Sequence, residues 1–175
     1  AGAIDDLSRA IALDPSYPWS YIDRGRLYIA EARKAEALED FGMAVTLAPE
    51  IFAGWAYRAE LLTEAGRDRE AVADWERVVS LRPDYWYAYP ALGELYFALG
   101  DWPRSRDSFA KAARYEEGYS SLLLAALAAR RGGDARGATA LLEPARQGIP
   151  RESGERDVAR FLLKPAADLP LVNRA

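Results

Sequence analysis

The chain has no cysteine and no histidine among its 175 residues. Disulfides, thiol chemistry, the usual zinc sites and the Ser-His-Asp and Cys-His catalytic arrangements are therefore excluded. Asparagine occurs once, at Asn173, and lysine three times against twenty arginines. No apolar run approaches the ~18 residues that a membrane-crossing helix needs, and no signal-peptide pattern is present. A cysteine-free chain suits cytoplasm and periplasm alike, so composition leaves the compartment open. What is abundant is Ala, Leu, Arg and Glu, the residues of an all-helical protein.

The net charge of −4 is unevenly spread. Residues 1–100 carry 17 acids and 10 bases, whereas residues 101–175 carry 10 acids and 13 bases. An acidic front half argues against nucleic acid, which asks for a continuous basic stripe. Either the imbalance is the drift of solvated faces or it selects a partner.

One stretch, Pro18–Ile51, recurs along the chain. It reads as two short amphipathic helices, the first with Tyr21, Gly25 and Tyr28 on one face, the second with Ala37, Phe41 and Ala44. Four series step by 34, 34, 34 and 33 residues: Ala3, Ala37, Ala71, Ser105, Ala138; Leu7, Phe41, Trp75, Phe109, Leu142; Ala10, Ala44, Val78, Ala112, Ala145; and Pro15, Pro49, Pro83, Glu117, Pro150. The first helices add Tyr21, Trp55, Tyr89; Gly25, Ala59, Gly93; and Tyr28, Leu62, Tyr96. Small residues let the helices approach and large ones fill the space around them. One such pair cannot bury its apolar face alone, so it must be stacked on others. At these residues the chain resembles the tetratricopeptide repeat family, over roughly residues 1–150.

The resemblance implies an all-α fold: a right-handed α-α superhelix, or solenoid, of tetratricopeptide-like helix pairs with a C-terminal capping helix. The expected organisation is a half-repeat at 1–17 and full repeats at 18–51, 52–85 and 86–119. A degenerate repeat at 120–150 and a capping helix with irregular tail at 151–175 complete it. Gly66 and Gly100 should stop first helices, with Asp68 and Asp101 capping the second helices that follow. Pro144 should end or kink the helix that begins near Asp134, because an interior proline removes a backbone hydrogen bond. The chain opens inside a second-type helix, so it is expected to be a fragment or matured form of a longer protein. The unpaired end offers Ile4, Leu7 and Ile11 to another copy.

In the resembled family the first helices line a concave groove that takes extended peptides. Helical periodicity assigns to that face Trp19, Ile22, Arg26 and Ile29, then Glu60, then Tyr87, Glu94 and Phe97, and last Arg130 and Arg131; Glu64 joins the charged groove residues and Trp86 is, with Tyr87, the surplus of the aromatic run 85–89. A row of exposed apolar residues marks a surface that something covers. Trp19, Ile22, Ile29, Tyr87 and Phe97 are expected as partner anchors, with the charged residues setting polarity and register. The alternative makes each aromatic a packing residue between repeats. The lysine, arginine and asparagine clamp by which some family members hold chaperone C-termini is not reproduced. Its places hold Ile22, Arg26, Tyr57, Tyr87 and Ala91, of which Arg26 alone could serve.

The expected function is a protein–protein interaction scaffold binding a peptide or protein segment in the groove, without catalysis, cofactor or metal. Membrane insertion and nucleic-acid binding are not expected. Two alternatives remain open: an accessory repeat domain of a larger enzyme or secretion assembly, and a self-associating module.

Overall fold

Each helix pair is punctuated at the same two places, and the local chemistry there sets the element boundaries. The computed structural model describes residues 2–164, and the tail expected beyond Lys164 lies outside them. These residues form ten α-helices and no strand: α1 (Ala3–Leu13), α2 (Pro18–Ala30), α3 (Lys34–Leu47), α4 (Phe52–Glu64), α5 (Asp68–Leu81), α6 (Ala88–Ala98), α7 (Trp102–Ala112), α8 (Ser120–Arg131), α9 (Ala135–Leu142) and α10 (Gly154–Leu162). They fall into two compact units that divide between Ala88 and Tyr89.

The turn inside each pair needs one residue in the left-handed region. Gly66, Gly100 and Gly133 take it at φ 68°, 76° and 82°, without the Cβ clash that disfavours it. The same turn in the first repeat is made by Ala32, at φ 59°. The next residue is the N-cap. Asp101 and Asp134 accept from the backbone N–H groups of Arg104 (3.1 Å) and Gly137 (2.7 Å). At Gly137 an added Cβ would run into the Asp134 carboxylate, so that glycine serves the cap. The first two repeats place Arg33 and Arg67 at the cap instead, and these pair with Glu36 and Glu70 three residues on. Asp68, expected as a cap, is thus the first helical residue, because Arg67 occupies the capping position.

In the unit of residues up to 88, Tyr28, Ala37, Phe41 and Leu61 form one buried cluster and Tyr21, Ile22 and Ala44 another. A Cβ on Gly25 would come within 2.7 Å of the Phe41 ring, so α2 and α3 meet where α2 has no side chain. The Tyr21 hydroxyl donates to the Pro15 carbonyl (3.1 Å) and, 34 residues on, the Trp55 indole N–H donates to the Pro49 carbonyl (3.0 Å). Each bond ties a first helix to the turn before it. Ile4 and Ile11 of α1 lie half-buried against the two clusters, so the apolar end expected to invite a second copy is partly covered by the chain itself.

An ion pair also repeats. Arg24 reaches Asp40 through Nε and Nη2 (2.8 and 2.7 Å), and Arg58 reaches Asp74 in the same way (2.6 and 2.7 Å). Both carboxylates are buried, Asp40 at 4% and Asp74 at 3% exposure. Planar guanidinium and carboxylate meet along two parallel hydrogen bonds, the geometry that offsets desolvation best. In the third repeat the two positions hold Leu92 and Ser108, both buried without an ion pair.

In the unit from residue 89, Gly93 meets Phe109 as Gly25 meets Phe41, at 2.6 Å for an added Cβ. The buried Ser105 hydroxyl donates to the Gly93 carbonyl (2.8 Å). Helix α9 stops at Leu142, ahead of Pro144, as its sequence requires. Ala159 and Leu162 of α10 then join Leu123, Ala126, Ala129, Ala138, Leu142 and Ile149 in one cluster.

Ala32→Gly should stabilise the protein by roughly 0.5–1 kcal/mol, since the left-handed strain of alanine exceeds the extra unfolded freedom of glycine. Urea melts of the two proteins check this. Asp74→Ala should cost about 3–5 kcal/mol by stranding the Arg58 charge. The double change Arg58→Leu with Asp74→Ser imports the third repeat's solution, and its cost should fall well below the sum of the two single changes in the same melts.

Candidate partner-binding face

The residues that packing does not consume lie on the first helices and on the turn before Ala88. Helix α2 and helix α4 lie side by side, so corresponding positions of successive repeats become neighbours. Tyr57 of α4 stacks on Phe41 (ring centroids 5.3 Å apart), and Arg26 of α2 lies over the outer side of this arrangement, 5.7 Å from the Tyr57 ring. Arg26 also pairs with Asp23 at 3.3 Å, on the exposed side of its helix.

Further along, three consecutive aromatics leave α5. Tyr85 packs on Phe52 (5.3 Å) and stands 5.9 Å from Tyr87. Trp86 stacks on Tyr87 with centroids 3.7 Å apart and planes 23° from parallel. Trp86 is half-buried, while Tyr87 is 60% exposed. The two rings thus make a shelf with one open side. Burial raises the Tyr85 phenol above its ordinary pKa, and the charge of Glu60 adds to the rise. Glu60 has its own pKa raised, first by partial removal of its carboxyl from water and then by repulsion from Glu64. Glu64 itself is occupied by Lys34 at 2.6 Å. Among the described residues Glu60 has no ion-pair partner.

Several expected site residues are placed elsewhere. Ile22 is buried, at 2% exposure, among Tyr21 and Ala44 with Ile11, Ile51 and Tyr57 around it, so it is core and no anchor. Its helix touches the helix before it, its own partner and the next first helix, and Ile22 points into the meeting of all three. Ile29 is half-buried against the Tyr28, Phe41 and Leu61 cluster. In the second unit Phe97 is half-buried with its ring edge-on to Trp102 (5.0 Å, 80°). Arg130 donates to the carbonyls of Leu162 (2.6 Å) and Lys164 (2.9 Å) and so fastens the end of α10. Glu94 and Arg131 are exposed.

Trp19, 42% exposed at the start of α2, keeps the exposure expected of an anchor, and so does Tyr87. Among the described residues no ring contact links Trp19 to the shelf. Asp23, Tyr57 and Ala91 occupy one register outside the packing series, yet Tyr57 packs against both buried clusters of its unit.

No protein-family model and no curated protein matches the chain. Solved structures do. The crystal structure of MamA aligns with 83% of this chain and 86% of its own at TM-score 0.69 and 19% identity. YrrB, described as a tetratricopeptide-repeat protein with an unusual peptide-binding site, aligns over 92% of this chain and 81% of its own at TM-score 0.71 and 14% identity. PilF of Pseudomonas aeruginosa aligns over 87% of this chain and 70% of its own at TM-score 0.62 and 18% identity. The fold is the all-α tetratricopeptide-repeat solenoid.

The raised Glu60 pKa has a sign. Its ionised form works against folding at pH values above the folded pKa, and the penalty vanishes below its ordinary value of 4.5, where the carboxyl is protonated in both states. Glu60→Gln should therefore raise the Tm at pH 7 and lose this advantage as pH falls below 4.5. Thermal melts of both proteins across that range check the prediction.

Proposed function

We propose that the protein is a scaffold that binds an extended segment of a partner protein along its first-helix face, and performs no chemistry of its own. The observation that carries this reading is the Trp86–Tyr87 shelf, whose outer ring the repeat packing leaves 60% exposed. Aromatic rings supply large contact area at small conformational cost, which is why they dominate the energetics of interfaces. Trp19 extends the same kind of surface to the start of α2. That YrrB, with the same fold, is described by its peptide-binding site supports the class of ligand. No described helix is long and apolar enough to cross a membrane.

The test uses random peptides displayed on phage and selected on the immobilised protein. Enriched peptides should lose at least about tenfold in affinity for Tyr87→Ala or Trp19→Ala, the loss expected for an interface anchor, while both variants keep the parent Tm. Glu39→Ala, on the exposed side of α3, should bind as the parent does. Failure of any peptide to enrich, or enrichment indifferent to Trp19 and Tyr87, would refute the proposal.

A further inference from the structure

We infer that copies of this chain join head to tail, α1 of one copy packing as a second helix onto α10 of the next. The contact uses neither Trp19 nor the Trp86–Tyr87 shelf, so it goes beyond the segment-binding reading and fails independently of it.

The two helices are unmatched halves of the repeat pattern. In α3 and α5 the seam residues Ala37, Phe41 and Ala44, then Ala71, Trp75 and Val78, are 3% exposed or less. The first helices α2 and α4 cover them. Helix α1 carries the same seam 34 residues earlier as Ala3, Leu7 and Ala10, and no first helix precedes it among the described residues. Ala3 is exposed, Leu7 and Ala10 are half-buried, and no residue of α1 is fully buried. The other apolar side of α1, Ile4 and Ile11, is turned to the clusters of α2 and α3. The seam is therefore open to a helix from outside the copy.

Helix α10 is the converse. It lies against α8 and α9 as α4 lies against α2 and α3, so it stands where the first helix of a further pair belongs. Ala159 and Leu162 make that contact, and no second helix follows α10 among the described residues. Val158 and Phe161, three residues apart and so on one face, stay 46% and 44% exposed. Two large apolar side chains left open on one short helix mark a surface that something covers.

Size and charge select a second copy as the cover. Close pairs in this chain set a large side chain against a small one, as Phe41 meets Gly25 and Phe109 meets Gly93. Phe161 supplies the large partner, and Ala3 and Ala10 supply small ones on either side of Leu7. Two α1 helices set against each other would bring the acidic Asp5 and Asp6 of both copies together, a like-charge contact. Residues 1–100 carry 17 acids and 10 bases, and residues 101–175 carry 10 acids and 13 bases. The front of one copy thus attracts the back of another and repels its front. Because the two faces differ, the contact is heterologous and repeats from copy to copy rather than stopping at a dimer.

Sedimentation velocity of the 175-residue chain from micromolar to millimolar concentration tests this. The average mass should rise past that of a dimer, and added salt should weaken the association. Ala10→Arg fills the α1 seam and Phe161→Arg charges the α10 face. Each variant alone should stay monomeric and keep the parent Tm. Mixed in equal amounts, the two should form a heterodimer and nothing larger, because each retains the face that the other has lost. Ala3→Arg and Val158→Arg, at exposed positions, replace them if either variant melts early. A parent that stays monomeric throughout would overturn the inference, as would a mixture of the variants that does not associate. Association that stops at a dimer and is lost in only one of the two variants would show a contact between like faces, and would overturn it as well.

Discussion

Two helices approach most closely where one of them carries little or no side chain, and the pairs of this molecule are arranged around that requirement. Gly25 faces Phe41 and Gly93 faces Phe109, each without room for a Cβ. The large ring fills the gap that the missing side chain leaves, and the neighbouring small residues, Ala37 and Ser105, complete the seam. Exposed backbone at such a glycine also becomes available, and the Ser105 hydroxyl uses it by donating to the Gly93 carbonyl. The middle repeat solves the same problem differently, with Ala59 opposite the larger Trp75. Packing at near-crystalline density leaves little latitude for other combinations.

That constraint is why the architecture was readable from the chain. Positions that meet the same neighbour in every repeat recur at the same spacing, so Tyr21, Trp55 and Tyr89 or Phe41, Trp75 and Phe109 announce themselves. The stop at Pro144 followed from its missing N–H. The Arg24–Asp40 and Arg58–Asp74 pairs had the same 34-residue spacing but occur only twice, and a charge cluster on a helix ordinarily reads as solvated. Their burial depends on both partners turning inward together, which periodicity of one helix does not reveal.

The candidate face was less legible for a geometric reason. Assigning a groove by subtracting one packing stripe treats each first helix as having a single neighbour. A helix inside the array has three, so the buried arc is wider and takes in Ile22, whereas Ile29 and Phe97 become half-buried. Arg130 was misplaced because its acceptors, the carbonyls at the end of α10, arise from the capping helix 32 and 34 residues away. No pattern within α8 encodes them.

What remains after this correction differs in kind from the packing positions. The register of Trp19 continues as Ala53 and Tyr87, and that of Arg26 as Glu60 and Glu94, so size and charge change where the fold demands neither. Other charges in these two repeats are paired: Lys34 meets Glu64, Arg33 meets Glu36, Arg67 meets Glu70. Glu60 is exposed on α4, and its pKa is raised, first by partial removal of its carboxyl from water and then by repulsion from Glu64. Folding would be served better by a neutral residue there. Local rules broken without a gain to folding mark the places where another demand has set the residue. The open Tyr87 ring, 60% exposed in a register that Ala53 holds one repeat earlier, stands at such a place.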